Sequence, residues 1–210
     1  MKAMSHYYCV FCDIIERKSP ARIEYEDDDV IVFHNVLDWA DVMLLAVPRV
    51  HLYQGELWSS DVLAKVSRAA VAMGRQHCRN GFRLVSNFGH HAMQSQAHGH
   101  IHVVDGKYLH PYPKAPDAVH YEDEQVVVYH NKVQREPVTL LARHREPLTQ
   151  SELWTSDAIG SVSRVAAELG DRHCANGFRL MTDFGVGPAS SPDEDGYLHI
   201  IGGTFLGEYA

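Results

Sequence analysis

The chain has 210 residues, 45% of them hydrophobic, and a formal net charge of −8. This size suits one large domain or two small ones. The negative charge argues against binding to a nucleic acid polymer, which requires a basic face. No apolar run approaches the length of a membrane span, and residues 1–6 lack an apolar signal core. A cytoplasmic protein without a membrane partner is therefore expected.

The predicted elements of the first half are short strands around one long helix. Apolar runs at residues 30–33 and 43–47 predict buried strands. A helix is predicted from Asp61 to about Cys78, followed by strands at residues 82–86 and 101–104. The apolar face of this helix would consist of Val62, Val66, Ala69, Ala70 and Met73. This pattern predicts an α+β unit with an antiparallel sheet.

The second half repeats the first. Residues 77–84 (HCRNGFRL) return 96 positions later as residues 173–180 (HCANGFRL). Past that point the offset is 97, because His102 matches His199. Two copies indicate a tandem domain and not a solenoid. The proline-bearing link at residues 107–116 marks the boundary, which predicts one domain at residues 1–110 and a second at residues 117–210.

Three histidines recur with a period of two at residues 98–102 (HGHIH). On an extended strand alternate side chains point to one face, so His98, His100 and His102 would form one row. Histidine titrates near neutral pH and serves as a nucleophile or as a metal ligand. A surface row of histidines, or an accidental metal chelator, is the alternative interpretation.

Two cysteines near the start of the chain form a C-x-x-C element. Cys9 and Cys12 suit a tetrahedral zinc ion or redox exchange. Two thiolates need two further ligands to complete a zinc site, and His51 and His98 are the best candidates in this half. A pair of ordinary cysteines without a metal is the alternative.

A polar loop at residues 88–97 leads into the histidine row. Gln94 and Ser95 could hold phosphate oxygens beside His100, because amide and hydroxyl donors stabilise charge that develops on phosphoryl oxygens. An ordinary surface loop is the alternative.

Together these motifs resemble the histidine-triad (HIT) superfamily of nucleotide hydrolases and transferases. The resemblance rests on H-x-H-x-H at residues 98–102, preceded by Gln94, Ser95 and Asn87. Upstream segments resemble the Hint branch in matching order and nearly matching spacing: residues 9–15, 20–21, 25–28, 33–35 and 48–51. The likeness covers residues 8 to about 107, and it reaches the second copy only through the internal repeat.

The resemblance implies roles for individual residues. His100 would attack the α-phosphorus of a nucleoside phosphoramidate, dinucleotide or nucleotide-sugar, and water or an acceptor would resolve the nucleotidyl-histidine intermediate. His102 would polarise the site, and Gln94 and Ser95 would contact the phosphate. The implied nucleotide-binding residues are Phe11, Ile14, Phe33, Asn35, Val36 and Asn87. The implied ligands of a structural zinc ion are Cys9, Cys12, His51 and His98.

The second copy departs from this pattern. Asp195 and Tyr197 align with His98 and His100, Pro147 falls opposite His51, and the phosphate loop is replaced by residues 185–191. We therefore expect a catalytically silent half. Because many single-copy relatives form homodimers across a continuous sheet, we expect this half to act as the partner in an intrachain pseudo-dimer.

The first copy also has one departure. In many relatives a histidine precedes the strand at residues 44–48, and here this position is Met43. The usual hydrogen-bond support of the triad is then missing, unless His90 or His91 replaces it.

The predicted function is that of a nucleotide phosphoramidase or hydrolase acting in the N-terminal half. Dinucleotide polyphosphate phosphorolysis is one alternative. Another is nucleotidylyl transfer, since galactose-1-phosphate uridylyltransferase also resembles this chain in its two fused copies and its zinc ligands, but has glutamine where this chain has His102. A non-catalytic nucleotide-binding protein is the third, and Met43 and the silent half favour it.

Overall fold

The computed structural model describes residues 8–187 and 194–207. Its elements follow one another in the same order in both halves. The first half contains α1 (Val10–Ile15), β1 (Ile23–Glu26), β2 (Val30–His34), β3 (Met43–Pro48), α2 (Gln54–Trp58), α3 (Val62–His77), β4 (Phe82–Phe88) and β5 (Ile101–Asp105), with short 3-10 turns at His90–Ala92 and Gly106–Tyr108. The second half contains β6 (Pro116–Glu122), β7 (Val126–Asn131), β8 (Val138–His144), α4 (Gln150–Thr155), α5 (Ala158–His173), β9 (Phe178–Phe184) and β10 (Leu198–Gly202).

All ten strands form one antiparallel sheet that runs through both halves. The strand order is β1-β2-β3-β5-β4-β9-β10-β8-β7-β6, so β4 and β9 meet at the centre. Phe82 stacks on Phe184 there, and Phe88 stacks on Phe178. Phe178 is the repeat equivalent of Phe82, and Phe184 that of Phe88, so interchanging the halves converts one stacked pair into the other. The two halves are therefore related as the subunits of a dimer would be, within one chain.

The long helices α3 and α5 lie on one face of the sheet and form the main core. Alternate strand residues such as Leu44, Leu84 and Ile101 pack against them. The helices also bind each other's half: Ser67 Oγ donates to the Trp154 carbonyl at 2.8 Å, and Ser163 Oγ donates to the Trp58 carbonyl at 3.0 Å. Docking of the two halves therefore satisfies polar groups as well as burying apolar surface.

The opposite face of the first five strands carries α1. Phe11 and Ile14 of this helix pack on the strand residues Ile31, Phe33 and Leu45. His102 and Val104 point to this same side, since they alternate with the core residues Ile101 and Val103. The fold thereby separates a structural face, covered by the long helices, from a second face on which a site can be built.

The predicted α+β fold with one long helix in each unit and an intrachain pseudo-dimer is confirmed. The short helices α1, α2 and α4 were not predicted. Residues 109–115 lie outside any helix or strand, and the proposed boundary there stays a prediction. Two features used above lie outside the described residues: the N-terminal segment 1–6 and part of the replaced phosphate loop, residues 188–191. Within the described part of the chain, no helix is long and apolar enough to cross a bilayer.

Candidate functional site

A cavity of about 590 Å³ opens on the α1 side of the sheet. His100 and His102 line it, although both side chains are largely buried. The regular strand begins only at Ile101. The prediction that all three histidines lie on one extended strand is therefore wrong for His98 and His100. His98 instead forms an isolated bridge with Tyr53, and its Nδ1 lies 3.5 Å from Cys9 Sγ and 3.6 Å from Cys12 Sγ.

The backbone of His100 is fixed by two side chains from other elements. The Gln54 amide accepts from the His100 N–H at 2.9 Å and donates to the His100 carbonyl at 3.0 Å. Ser86 Oγ donates to the same carbonyl at 2.8 Å. Sequence reasoning missed both residues, yet they recur in the repeat as Gln150 and Thr182. That recurrence was a usable signal for a structural role.

The imidazole of His100 is oriented by its two neighbours in the row. Its Nδ1 lies 2.7 Å from the His98 carbonyl, which can only accept, so Nδ1 carries the proton. Nε2 then keeps a lone pair and lies 3.1 Å from His102 Nε2, which donates to it. The ring therefore presents an unprotonated nitrogen at the cavity.

Burial keeps these imidazoles neutral. It lowers the pKa of His100, and it lowers the pKa of His102 well below the ordinary value, with repulsion from His100 and Arg179 as smaller causes. A neutral imidazole is the form that can act as a nucleophile.

Aromatic and apolar side chains form the outer wall of the cavity. The Phe11 ring lies edge-on to both His100 and Phe33, with ring centroids 5.3 Å apart in each case. Five of the six predicted nucleotide-binding residues line the cavity: Phe11, Ile14, Phe33, Asn35 and Val36. The structure thus brings these five together beside His100, and their binding roles stay predictions.

The loop before the histidines differs from expectation at one residue. Ser95 lines the cavity as predicted, but the neighbour that lines it with Ser95 is Gln96 and not Gln94. The Gln94 amide accepts from the Gly89 N–H at 2.8 Å and donates to the Gln96 carbonyl at 3.0 Å. Gln94 thus stabilises the loop from within, and the structure does not support its predicted contact with the phosphate.

Asn87 is the second predicted residue that does not reach the cavity. It is buried on β4, where its Oδ1 accepts from Arg179 Nε at 2.8 Å. Arg179 comes from β9 of the second half and lines the cavity. Sequence reasoning missed Arg179, because only the pairing of β4 with β9 brings it to this face.

The four predicted metal ligands lie together near the N-terminal end of α1. The ligand atoms of Cys9, Cys12, His51 and His98 all lie within 4.8 Å of one another. Cys12 Sγ is 3.2 Å from His51 Nδ1, and Cys9 Sγ is 3.5 Å from His98 Nδ1. Zinc bonds of ordinary length in a tetrahedron place sulfur and nitrogen about 3.5 Å apart. The cluster therefore fits a zinc ion.

The protonation of these ligands also suits a metal. His98 Nε2 lies 2.9 Å from the Pro48 carbonyl and donates to it, which leaves Nδ1 as the coordinating atom. Burial lowers the pKa of His98 to about 4, so the ring is neutral. Burial and the adjacent Cys9 raise the pKa of Cys12 to about 11, and a bound divalent cation reverses this effect by stabilising the thiolate.

Met43, which replaces the histidine found in many relatives, packs in the apolar core. Met43 is buried in a small apolar cluster with Ala40, Val104 and Leu109. The rings of His90 and His91 lie beside Phe205 and not among the residues that line the cavity. This placement gives no support to the alternative that one of them replaces the missing histidine.

In the second half the same scaffold carries different side chains. The Tyr197 N–H donates to Gln150 Oε1 at 3.0 Å, and Thr182 Oγ1 donates to the Tyr197 carbonyl at 2.9 Å. These bonds repeat two of the three that hold the backbone of His100, with a phenol in place of the imidazole.

Comparison with known proteins relates the first half to small single-copy proteins. A model of the family described as "Scavenger mRNA decapping enzyme C-term binding" matches residues 8–116, just over half of the chain. A "14 kDa zinc-binding protein" of Brassica juncea is 30% identical over 106 residues, which cover 48% of this chain and 94% of that protein. "Adenylylsulfatase HINT1" of Arabidopsis thaliana is 29% identical over 106 residues, covering 48% of this chain and 72% of that protein.

One solved structure resembles both halves together. A GalT-like protein from Arabidopsis thaliana aligns over 96% of this chain and 83% of its own length, with a TM-score of 0.67 and 14% sequence identity. At this identity the likeness concerns the fold alone.

Proposed function

Because this chain belongs to the histidine-triad superfamily, whose members are nucleotide hydrolases or transferases, we propose that its first half cleaves nucleotide conjugates at the α-phosphorus. Nucleoside phosphoramidates are the proposed substrate class, and His100 is the proposed nucleophile. The name of one relative, an adenylylsulfatase, supports a substrate that carries a nucleotidyl group.

The orientation of His100 carries the proposal. Its Nδ1 proton is bound by the His98 carbonyl, so the unprotonated nitrogen is Nε2, whose electron pair becomes available for attack when the hydrogen bond from His102 is released. Attack of Nε2 on the α-phosphorus forms a P–N bond while the bond from phosphorus to the leaving amine breaks. The amine leaves with the electron pair and takes up a proton from a water molecule in the open cavity, because a neutral His102 would become an imidazolate anion if it gave up its only ring proton.

Water completes the reaction. It attacks the phosphorus of the nucleotidyl-histidine and gives up a proton to the hydroxide left by the first step. The P–Nε2 bond breaks, the nucleoside monophosphate leaves, and His100 becomes neutral again. The hydroxyl group of Ser95 and the amide group of Gln96, which line the cavity, would bind phosphoryl oxygens during both steps. Phe11 and Phe33 would hold the base.

Zinc would have a structural role. Bound by Cys9, Cys12, His51 and His98, it would supply no reacting group but would tie α1 to the end of β3 and to the segment before β5. His98 is both a proposed ligand and the residue whose carbonyl orients His100. The metal site would therefore position the nucleophile.

The test is release of AMP from adenosine 5′-phosphoramidate. We expect turnover by the wild-type protein and its loss in His100→Ala, while His90→Ala, which changes an exposed histidine outside the cavity, retains it. Equal turnover by His100→Ala would contradict the proposal. Addition of a phosphorylated sugar distinguishes hydrolysis from transfer, since transfer yields a nucleotide-sugar in place of AMP. Binding of AMP without any turnover would favour a non-catalytic nucleotide-binding protein.

A further inference from the structure

Two arginines are the only charged side chains other than histidine that line the cavity in the part of the chain that the structure describes. Arg22 lies at the rim, where its side chain is 75% exposed and 3.1 Å from Glu24. Arg179 is only 7% exposed, and it belongs to the second half. A protein with a net charge of −8 needs a local cation to bind a phosphate ester, and Arg179 is the buried cation on this cavity.

The pairing of β4 with β9 makes the surroundings of Arg179 differ from those of its repeat equivalent, Arg83. In the strand register Arg83 lies opposite Asp183, and Arg179 lies opposite Asn87. Arg83 Nε binds Asp183 Oδ1 at 2.6 Å, and Nη2 binds Oδ2 at 3.0 Å. This fork neutralises the charge of Arg83.

Neutral groups hold Arg179 at the corresponding atoms. Its Nε donates to the Asn87 amide oxygen at 2.8 Å, and its Nη2 donates to the Gly207 carbonyl at 2.9 Å. These two acceptors are neutral and fix the orientation of the guanidinium group. The second half, which has no histidine at the position of His100, thus places the Asp183 carboxylate opposite Arg83. The first half places the Asn87 amide opposite Arg179.

We propose that Arg179 binds the phosphoryl oxygens of the substrate that His100 attacks, so that the second half completes the active site of the first. This inference rests on the proposed function and specifies the anion-binding group of that site. Ser95 and Gln96 contribute neutral donors from the first half, and the cation comes from β9. The second half would then contribute a substrate-binding residue to the active site of the first half, in addition to its packing contacts.

Binding of AMP and of adenosine, measured by titration calorimetry on the full chain, tests the proposal. A hydrogen bond between charged partners is expected to contribute about tenfold or more to affinity. Arg179→Gln should therefore weaken AMP binding by at least about tenfold and leave adenosine binding within about twofold. Arg179→Lys should retain part of the affinity for AMP. Arg75→Gln is the matched control, because Arg75 also bridges the halves, through Ser151, but outside the cavity.

A second variant avoids removal of the arginine. Asn87→Asp places a carboxylate opposite Arg179, as Asp183 lies opposite Arg83. It should weaken AMP binding without lowering the thermal midpoint, and it decides the matter if Arg179→Gln does not fold. AMP affinity unchanged in Arg179→Gln, or in Asn87→Asp if that variant alone folds, would overturn the composite site. Wild-type protein that binds AMP no better than adenosine would overturn the proposed function, and with it this inference.

Discussion

The ring of Tyr112 packs against the ring of His199, edge to face, with centroids 5.2 Å apart. His199 is the repeat equivalent of His102. The next residue of the link, Pro113, accepts a hydrogen bond from His199 Nε2 at 3.3 Å. The segment that joins the two halves thus covers His199, whereas His102 lines an open cavity.

Replacement of His199 should reduce the acid sensitivity of the fold. Burial lowers the pKa of His199 to about 4. Between pH about 6.5 and pH 4, His199 is therefore protonated in the unfolded chain but neutral in the folded chain. Its contribution to stability is therefore complete above pH 6.5 and is lost as the pH falls toward 4. Between pH 6.5 and pH 4, the free energy of unfolding of His199→Gln should therefore fall by on the order of 3 kcal/mol less than that of the wild type. Urea unfolding at several pH values measures this difference.

His110→Gln is the control for that measurement, because the His110 side chain is exposed. Its unfolding free energy should keep the pH dependence of the wild type. An unchanged pH dependence in His199→Gln would show that His199 is not held neutral by burial.

Gln94 and Gln96 should have separable effects. Gln94 binds within its own loop and Gln96 lines the cavity, so Gln94→Ala should lower the free energy of unfolding by about 1 kcal/mol. Gln96→Ala should leave stability unchanged and lower kcat/KM for the phosphoramidate by about tenfold. Steady-state kinetics and urea unfolding on both variants test this, and the reverse assignment of effects would mean that the loop binds substrate in another conformation.

The two central arginines should differ in their contribution to stability. Arg83→Met leaves the buried Asp183 carboxylate without its ion pair, which we expect to cost about 3–5 kcal/mol. Arg179→Met leaves a neutral amide, and we expect a smaller cost of about 1–3 kcal/mol. Chemical unfolding of both variants measures the difference, and equal costs would contradict the charge asymmetry of the central strands.

Loss of one metal ligand should remove zinc and stability together. Elemental analysis of wild-type protein should give one zinc per chain, and Cys12→Ser should give much less. A chelator should lower the thermal midpoint of the wild type but have little effect on the variant. Cys78→Ala, which changes a buried cysteine far along the chain, is the control and should retain the metal. Wild-type protein without zinc, purified under conditions that protect thiolates, would refute the site.

The sequence predicted those features that a local pattern or the repeat encodes. The 96-residue offset predicted two similar units, and C-x-x-C with two histidines predicted four residues that do lie together. Apolar runs predicted β2 and β3, which are buried on both faces. The edge strand β1 was missed, since its residues are only half-buried or exposed. The short helix α1 was missed, since its six residues are too few to show a helical period.

Features that depend on contacts between the halves were beyond the sequence. Arg179 reaches the cavity only through the register of β4 with β9, and the cover of His199 depends on the path of the link. The roles of Gln94 and Gln96 depend on the loop backbone, in which Met93 adopts a left-handed conformation with φ of 59°. No period or spacing in the sequence indicates such a turn at a methionine.

Direct detection of the covalent intermediate tests the central claim. Wild-type protein is mixed with adenosine phosphoramidate labelled at the α-phosphorus, quenched in alkaline detergent within one turnover, and digested with trypsin. We predict acid-labile label on the peptide of residues 84–107, which contains His100, and no label in His100→Ala. Turnover without any labelled protein, or equal labelling of His100→Ala, would contradict attack by this imidazole.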